Sequence, residues 1–253
     1  MAVSGPTLFA RYAYPPNELG YCGPDDASVL LARGSAAAEQ QIVEHARQFE
    51  GAWAYLEIIA AAANIADPLD ARVVEAYWIG NDLLAGVDPG YLVSELRHRF
   101  GEQPGASWVP GLAHHGFQVF AVYPWVGLLH RGNGYTVALS VLEQCRIRWG
   151  EVLAVEGERV RVQSRPLVLS DGLLVLGAAG EQTAAWSIDG RSLLSSDSAG
   201  VDVMCPPVSV GDQVAMHWDW VCDTLSADQV ARLEFHTADQ LARTNAGLRA
   251  AAG

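Results

Sequence analysis

Through the first part of the chain, apolar residues recur at helical spacing and are punctuated by recognisable helix starts. Asp67-Pro68-Leu69-Asp70 sets an N-cap, a first-turn proline and an acidic third residue ahead of Val73, Val74, Tyr77 and Trp78, which predicts a helix there. Asp88-Pro89 repeats the device before Tyr91, Leu92, Leu96 and Phe100, and Gly101 supplies a C-terminal stop. An Ala-rich stretch over 35–63 predicts one helix or a pair, broken at Gly51, and residues 117–129 and 135–144 predict two more. The expectation is about five or six helices packed as a bundle. The aromatics Trp53, Tyr55, Tyr77, Trp78, Tyr123 and Trp125 are its expected core.

After Cys145 the pattern shortens to Val-rich segments separated by Gly and Asp. Strands are predicted over 147–155, 159–167, 173–176, 183–188 and 213–218, with turns at Glu156-Gly157, Asp171-Gly172 and Asp189-Gly190. Five short strands suggest a small β-barrel, with a polar loop from Ser192 to Val203. Ser226-Ala-Asp-Gln229 is a capping box ahead of Val230, Leu233, Leu241 and Leu248, which predicts a closing helix. The expected class is α+β: an all-α helical bundle over 1–144, then a small barrel plus C-terminal helix over 145–253.

Half of the 253 residues are hydrophobic, enough to build a core. The formal charge of −13 disfavours nucleic acid and anionic membrane surfaces as partners. All 16 basic residues are Arg, so Schiff-base, pyridoxal-phosphate and P-loop lysine chemistries are excluded. The first residues lack a basic, then apolar, secretory pattern, and no apolar run is long enough to span a bilayer, so a cytoplasmic location is expected. Cys22, Cys145, Cys205 and Cys222 lie far apart without a CxxC pair, so neither a zinc ribbon nor a disulfide framework is indicated.

Two strings carry chemistry. Cys145-Arg146-Ile147-Arg148-Trp149-Gly150-Glu151-Val152 opens the strand-rich half, and Val210-Gly211-Asp212-Gln213-Val214-Ala215-Met216-His217 precedes the final helix. Together they resemble the HypC/HybG family of [NiFe]-hydrogenase maturation chaperones, in which a cysteine and a few residues to Gly lead into a small barrel ending in Val-Gly-Asp-x-Val-x-x-His and a helix. The resemblance covers roughly 145–248 and leaves the helical half unmatched. It implies a HypC-like, OB-like barrel and a role in escorting the Fe(CN)2CO moiety, bound transiently, with no permanent cofactor. Implied partners are a HypD-like scaffold protein, the hydrogenase large-subunit precursor, or both, with the helical half as a docking module.

Carried onto this sequence, the family's metal-handling positions are Cys145 and His217. A thiolate suits low-spin iron, and a neutral imidazole can ligate the metal or hold the thiolate. Arg146 and Arg148 are expected to lower the thiol pKa and attract cyanide, with Trp149 and Trp218 as further binding residues. The family cysteine is N-terminal whereas Cys145 is internal, the segment leading to His217 is longer, and Trp218-Asp219-Trp220 replaces smaller residues. A metal-free interaction scaffold in a hydrogenase-related complex is therefore one alternative. A thiol-dependent enzyme using Cys145 or Cys22 is another. Cys22, before an expected helix start, together with His114 or His115 forms a candidate second metal site.

Overall fold

The computed structural model describes residues 3–32, 35–101, 106–129, 134–188, 191–192 and 208–252. Helix α1, Gly5–Glu18, starts at Ser4, whose hydroxyl accepts from the Thr7 N–H, and carries Pro15 and Pro16 in its last turn. That proline pair hides the helix from a reading by pattern, because proline ordinarily marks a stop. The Ala-rich stretch is a pair, α2 over Ala36–Ala46 and α3 over Glu50–Ala62. Their break falls at Arg47–Phe49, and Gly51 lies inside α3.

Helix α4, Ala71–Trp78, has its cap three residues beyond the expected one. Asp67 instead accepts from the Leu69 N–H in a local turn, and Asp70 caps the helix by accepting from the Arg72 N–H. Helix α5, Pro89–Phe100, is capped by Asp88 and ends at Gly101 with φ +67°. The single helix expected over 117–129 is three pieces: a turn of α6, His115–Phe117, then a π-helical turn, Gln118–Val122, and after Pro124 a 3₁₀ turn, Val126–Leu128. Helix α7 covers Tyr135–Cys145 and leads into the strands.

The strands are β1 Arg148–Glu156, β2 Arg159–Ser164, β3 Leu167–Ser170, β4 Leu173–Leu176, β5 Gly180–Ala185, β6 Ser187–Ile188, β7 Arg191–Ser192, β8 Gln213–His217 and β9 Trp220–Thr224. Five of them form a closed barrel in the order β1-β2-β5-β9-β8. All its pairings are antiparallel except β5 with β9, which meet in parallel at Ala185 and Trp220. Gly150 lets β1 press against β2, since a Cβ there would lie 2.2 Å from the Gln163 carbonyl oxygen.

The segment at 173–176 is not in the barrel. It pairs with β3 as a hairpin that packs on helix α8, Ala227–Ala252, where the Asn245 amide bonds both the N–H and the carbonyl of Leu174. Its place in the barrel is taken by β9, which the polar look of Asp223-Thr224 disguises as a turn. The Ser226 box is formed as expected: the Gln229 N–H meets the Ser226 hydroxyl and the Ser226 N–H meets the Gln229 side chain. Ser192 ends β7, while the rest of the expected polar loop, the Asp189-Gly190 turn and Cys205 lie outside the described residues.

The barrel has its own apolar interior, including Val152, Val162, Val214 and Met216. Strand β8 is covered on both faces: Val214 and Met216 point inward, whereas Ala215 joins the large core built on the helices. That core also takes Ile147, Trp220, Cys222 and Leu233 from the second half. Helix α1 lies against β9, with the Arg11 guanidinium 2.8 Å from the Asp223 carboxylate and Tyr14 edge-on to Trp220. Among the described residues, no helix is long and apolar enough to cross a membrane.

Candidate metal centre

The last carbonyls of any α-helix lack partners within the helix and must find them elsewhere. At the end of α7, the Gln144 carbonyl accepts from the Trp218 N–H at 2.8 Å, and the Cys145 carbonyl accepts from His115 Nε2 at 2.8 Å. Trp218 stands at the β8–β9 turn with φ +53°, so its bond to Gln144 lands the end of β8 beside Cys145. Three distant stretches thus meet. One donor atom from each of His115, Cys145 and His217 lies within 4.8 Å of the other two.

The histidine tautomers follow from their partners. A carbonyl oxygen can only accept, so His115 Nε2 carries a proton, which leaves Nδ1 to accept from the Tyr77 hydroxyl at 3.1 Å. His217 Nδ1 faces the Tyr12 carbonyl at 2.7 Å and is likewise the donor. Its Nε2 therefore carries a lone pair, and it is buried without a hydrogen-bond partner. A ring N–H anchored on a backbone carbonyl with the other nitrogen free is the usual arrangement of a metal-ligating histidine.

Burial keeps both rings neutral. It lowers His115 to about 4, with the Cys145 carbonyl opposing the shift. It lowers His217 to about 3, helped by the neighbouring His115 and opposed by the Tyr12 carbonyl. Burial also pushes the Cys145 thiol well above its ordinary range, and Cys22 adds to the shift. Without a metal the group is two neutral imidazoles and a protonated thiol.

Cys145, half-buried, forms part of the wall of a cavity of about 920 Å³ together with Cys22, Tyr77, Trp78, His115 and His217. The Trp78 ring packs on both histidines, its centroid 4.6 Å from His115 and 5.6 Å from His217. Two imidazole nitrogens and a thiolate form a borderline-to-soft donor set for iron, zinc, cobalt or copper. Three protein ligands leave coordination positions open to something from outside.

Cys145 and His217, named from the sequence, are brought together here. His115 joins them, and not Cys22 in a separate site. His114 lies elsewhere: its Nδ1 accepts from the Gly116 N–H and its ring stacks on His236 at 5.1 Å. Adjacent residues at a helix start point in different directions, which separates the two histidines. Cys22 lines the same cavity, yet burial pushes its thiol up to about 12, the reverse of the shift expected beside a helix start. Only a 3₁₀ turn, Ala27–Leu31, follows it.

The expected roles of the two arginines are corrected. Arg146 is buried against Glu143 and the Arg165 carbonyl, and Arg148 bridges the side chains of Gln144 and Gln182. Neither lowers the Cys145 thiol, whose shift is upward. Trp149 lines a different cleft, beside Arg146 and Gln213, whereas Trp218 does reach the cavity and stacks on Tyr21 at 4.0 Å. Sequence reading misses Tyr12, Tyr77 and Trp78 as parts of the site. Tyr77 and Trp78 read as core because they are core, and nothing in the spacing says that one face of that core is a cavity wall.

Among known families, a model described as a family of unknown function, DUF6390, matches residues 1–251. No curated protein and no solved structure matches the chain.

Proposed function

The chain belongs to the DUF6390 family, whose description assigns no activity, and we propose from its own site that it is an accessory chaperone in [NiFe]-hydrogenase maturation. In this reading the His115, Cys145 and His217 group carries an iron bearing cyanide and carbonyl ligands in transit. The observation that supports it most is the meeting of Cys145, the last residue of α7, with His217, the last residue of barrel strand β8, on the wall of a cavity that also holds His115.

The barrel adds to this. Counting only its own strands, the ring runs first, second, third, fifth, fourth, with the third and fifth parallel. That order is the one an OB-like barrel has, and it makes the strands carrying the two resembling strings neighbours. His217 ends β8, and Cys145 ends α7 just before β1 begins beside it.

The chemistry suits temporary custody. Both imidazoles are already neutral, so binding an iron cargo displaces one proton, that of the Cys145 thiol. Three ligands hold the metal while leaving positions that an acceptor protein can occupy before it takes the cargo over. The partners in this reading are a HypD-like scaffold and the large-subunit precursor. The raised thiols of Cys22 and Cys145 argue against a thiol-dependent enzyme, which needs a thiolate near neutral pH.

Infrared spectroscopy of protein purified without oxygen from a hydrogenase-expressing host tests the proposal. Cyanide and carbonyl stretching bands, lost in Cys145→Ser and in His217→Ala, are expected, with copurification of the scaffold or precursor. Absence of both bands and partners overturns it. A Cys145→Ala/His217→Ala double variant that still supports assembly leaves the protein a metal-free scaffold.

A further inference from the structure

Two residues that line the metal cavity carry buried hydrogen-bond donors that the fold does not use. Trp78 ends α4 and is 3% exposed, Trp218 sits at the β8–β9 turn and is 7% exposed, and both line the cavity. Neither indole Nε1–H has a hydrogen-bond partner in the protein. Buried N–H groups are nearly always satisfied, so two orphans on residues lining one cavity call for a ligand. A third unpaired atom, Nε2 of the lining residue His217, belongs to the metal group.

The three atoms differ in kind. An indole nitrogen only donates, and it cannot ligate a metal without losing its proton. His217 Nε2 offers a lone pair. A bare cation would satisfy the imidazole and leave both indoles unsatisfied. A metal that carries small ligands ending in lone-pair atoms satisfies all three at once. The cavity, at about 920 Å³, has room for such ligands beside the metal.

We propose that Trp78 and Trp218 form an acceptor-ligand subsite beside the His115, Cys145 and His217 group, donating hydrogen bonds to small anionic ligands on the metal. This rests on the metal-carrying reading above and deepens it. The two donors come from opposite halves of the chain, so the subsite exists only where the helices meet the barrel. It selects a metal already dressed with anions of the azide or cyanide class over the bare ion.

The test uses Zn²⁺ and azide as probes on the full chain. In ¹⁵N-labelled protein loaded with Zn²⁺, azide is expected to move two of the eight indole N–H resonances downfield, those lost in Trp78→Phe and Trp218→Phe. With Co²⁺ in place of Zn²⁺, each Phe variant is expected to bind azide about tenfold more weakly, the value of one lost hydrogen bond to an anion, while its Co²⁺ affinity stays within about twofold. Stationary indole signals on azide binding, or variants that bind azide as tightly as the parent, overturn the subsite and leave the metal site standing. Failure of the parent protein to bind Zn²⁺ overturns both. Should Trp78→Phe not fold, Trp218→Phe still assigns one of the two resonances, and its shift on azide binding decides the matter.

Discussion

His217 is held at one nitrogen by the Tyr12 carbonyl and left open at the other, and His115 is held by Cys145's own carbonyl. His217 is therefore ready to bind a metal, His115 does so by giving up the Tyr77 hydroxyl at Nδ1, and both rings resist protonation. One consequence is measurable in solution. Between about pH 6 and 8 only the Cys145 thiol must lose a proton on metal binding, so log affinity for Zn²⁺ should rise by about one unit per pH unit. Competition with a chromophoric chelator reads this slope, and Cys145→Ser should flatten it and weaken binding. A second consequence concerns the metal-free fold. Both histidines have folded values depressed from 6.5, to about 4 and about 3, so their contribution to stability is complete above pH 6.5 and disappears as pH falls through those lower values. Each should cost about 2 kcal/mol by pH 5, visible as a lower urea midpoint. At this scale the sequence shows Cys145 and His217 because each sits in a recognisable string. It does not show Trp78, whose helical spacing is that of any core residue.

Elements with short-range chemical punctuation are legible, and those set by long-range packing are not. Asp88, Gly101 and the Ser226 box do what their residue types predict. Ser226→Ala should cost about 1 kcal/mol through loss of the cap, read as a lower Tm. The π-helical turn at Gln118–Val122 has no such marker. Its Gln118 is buried with its side-chain oxygen accepting from the Tyr55 hydroxyl at 2.8 Å, a contact 63 positions away along the chain. The exchange of β4 for β9 in the barrel has the same origin. Leu173–Leu176 is apolar enough for a barrel strand, but Asn245 recruits it to α8, while β9 is held in place by Arg11 on Asp223. Gly150→Ala should be destabilising well beyond an ordinary strand substitution, because its Cβ meets backbone and not a flexible side chain. Urea titration against Gly157→Ala, where a Cβ meets nothing within 4 Å but φ is +62°, separates crowding from backbone strain.

At the scale of the whole molecule, the largest apolar core runs from α1 through the helices into β8, β9 and α8. Urea unfolding should therefore show one transition by tryptophan fluorescence and by far-ultraviolet dichroism. The Arg11–Asp223 pair crosses from α1 to β9, buried on the arginine side. Asp223→Asn removes the charge opposing a buried guanidinium and should cost about 3–5 kcal/mol, whereas replacing both partners with apolar residues should recover much of that loss.

The donors at positions 115, 145 and 217 enter the fold from an α-turn, a helix end and a strand end. During synthesis a ribosome exposes them one after another, His217 last. A nascent or truncated chain accordingly offers a thiol and an imidazole with no third donor to retain an ion. In the metal-carrying reading, loading therefore waits until His217 has been made and β8 has joined the barrel.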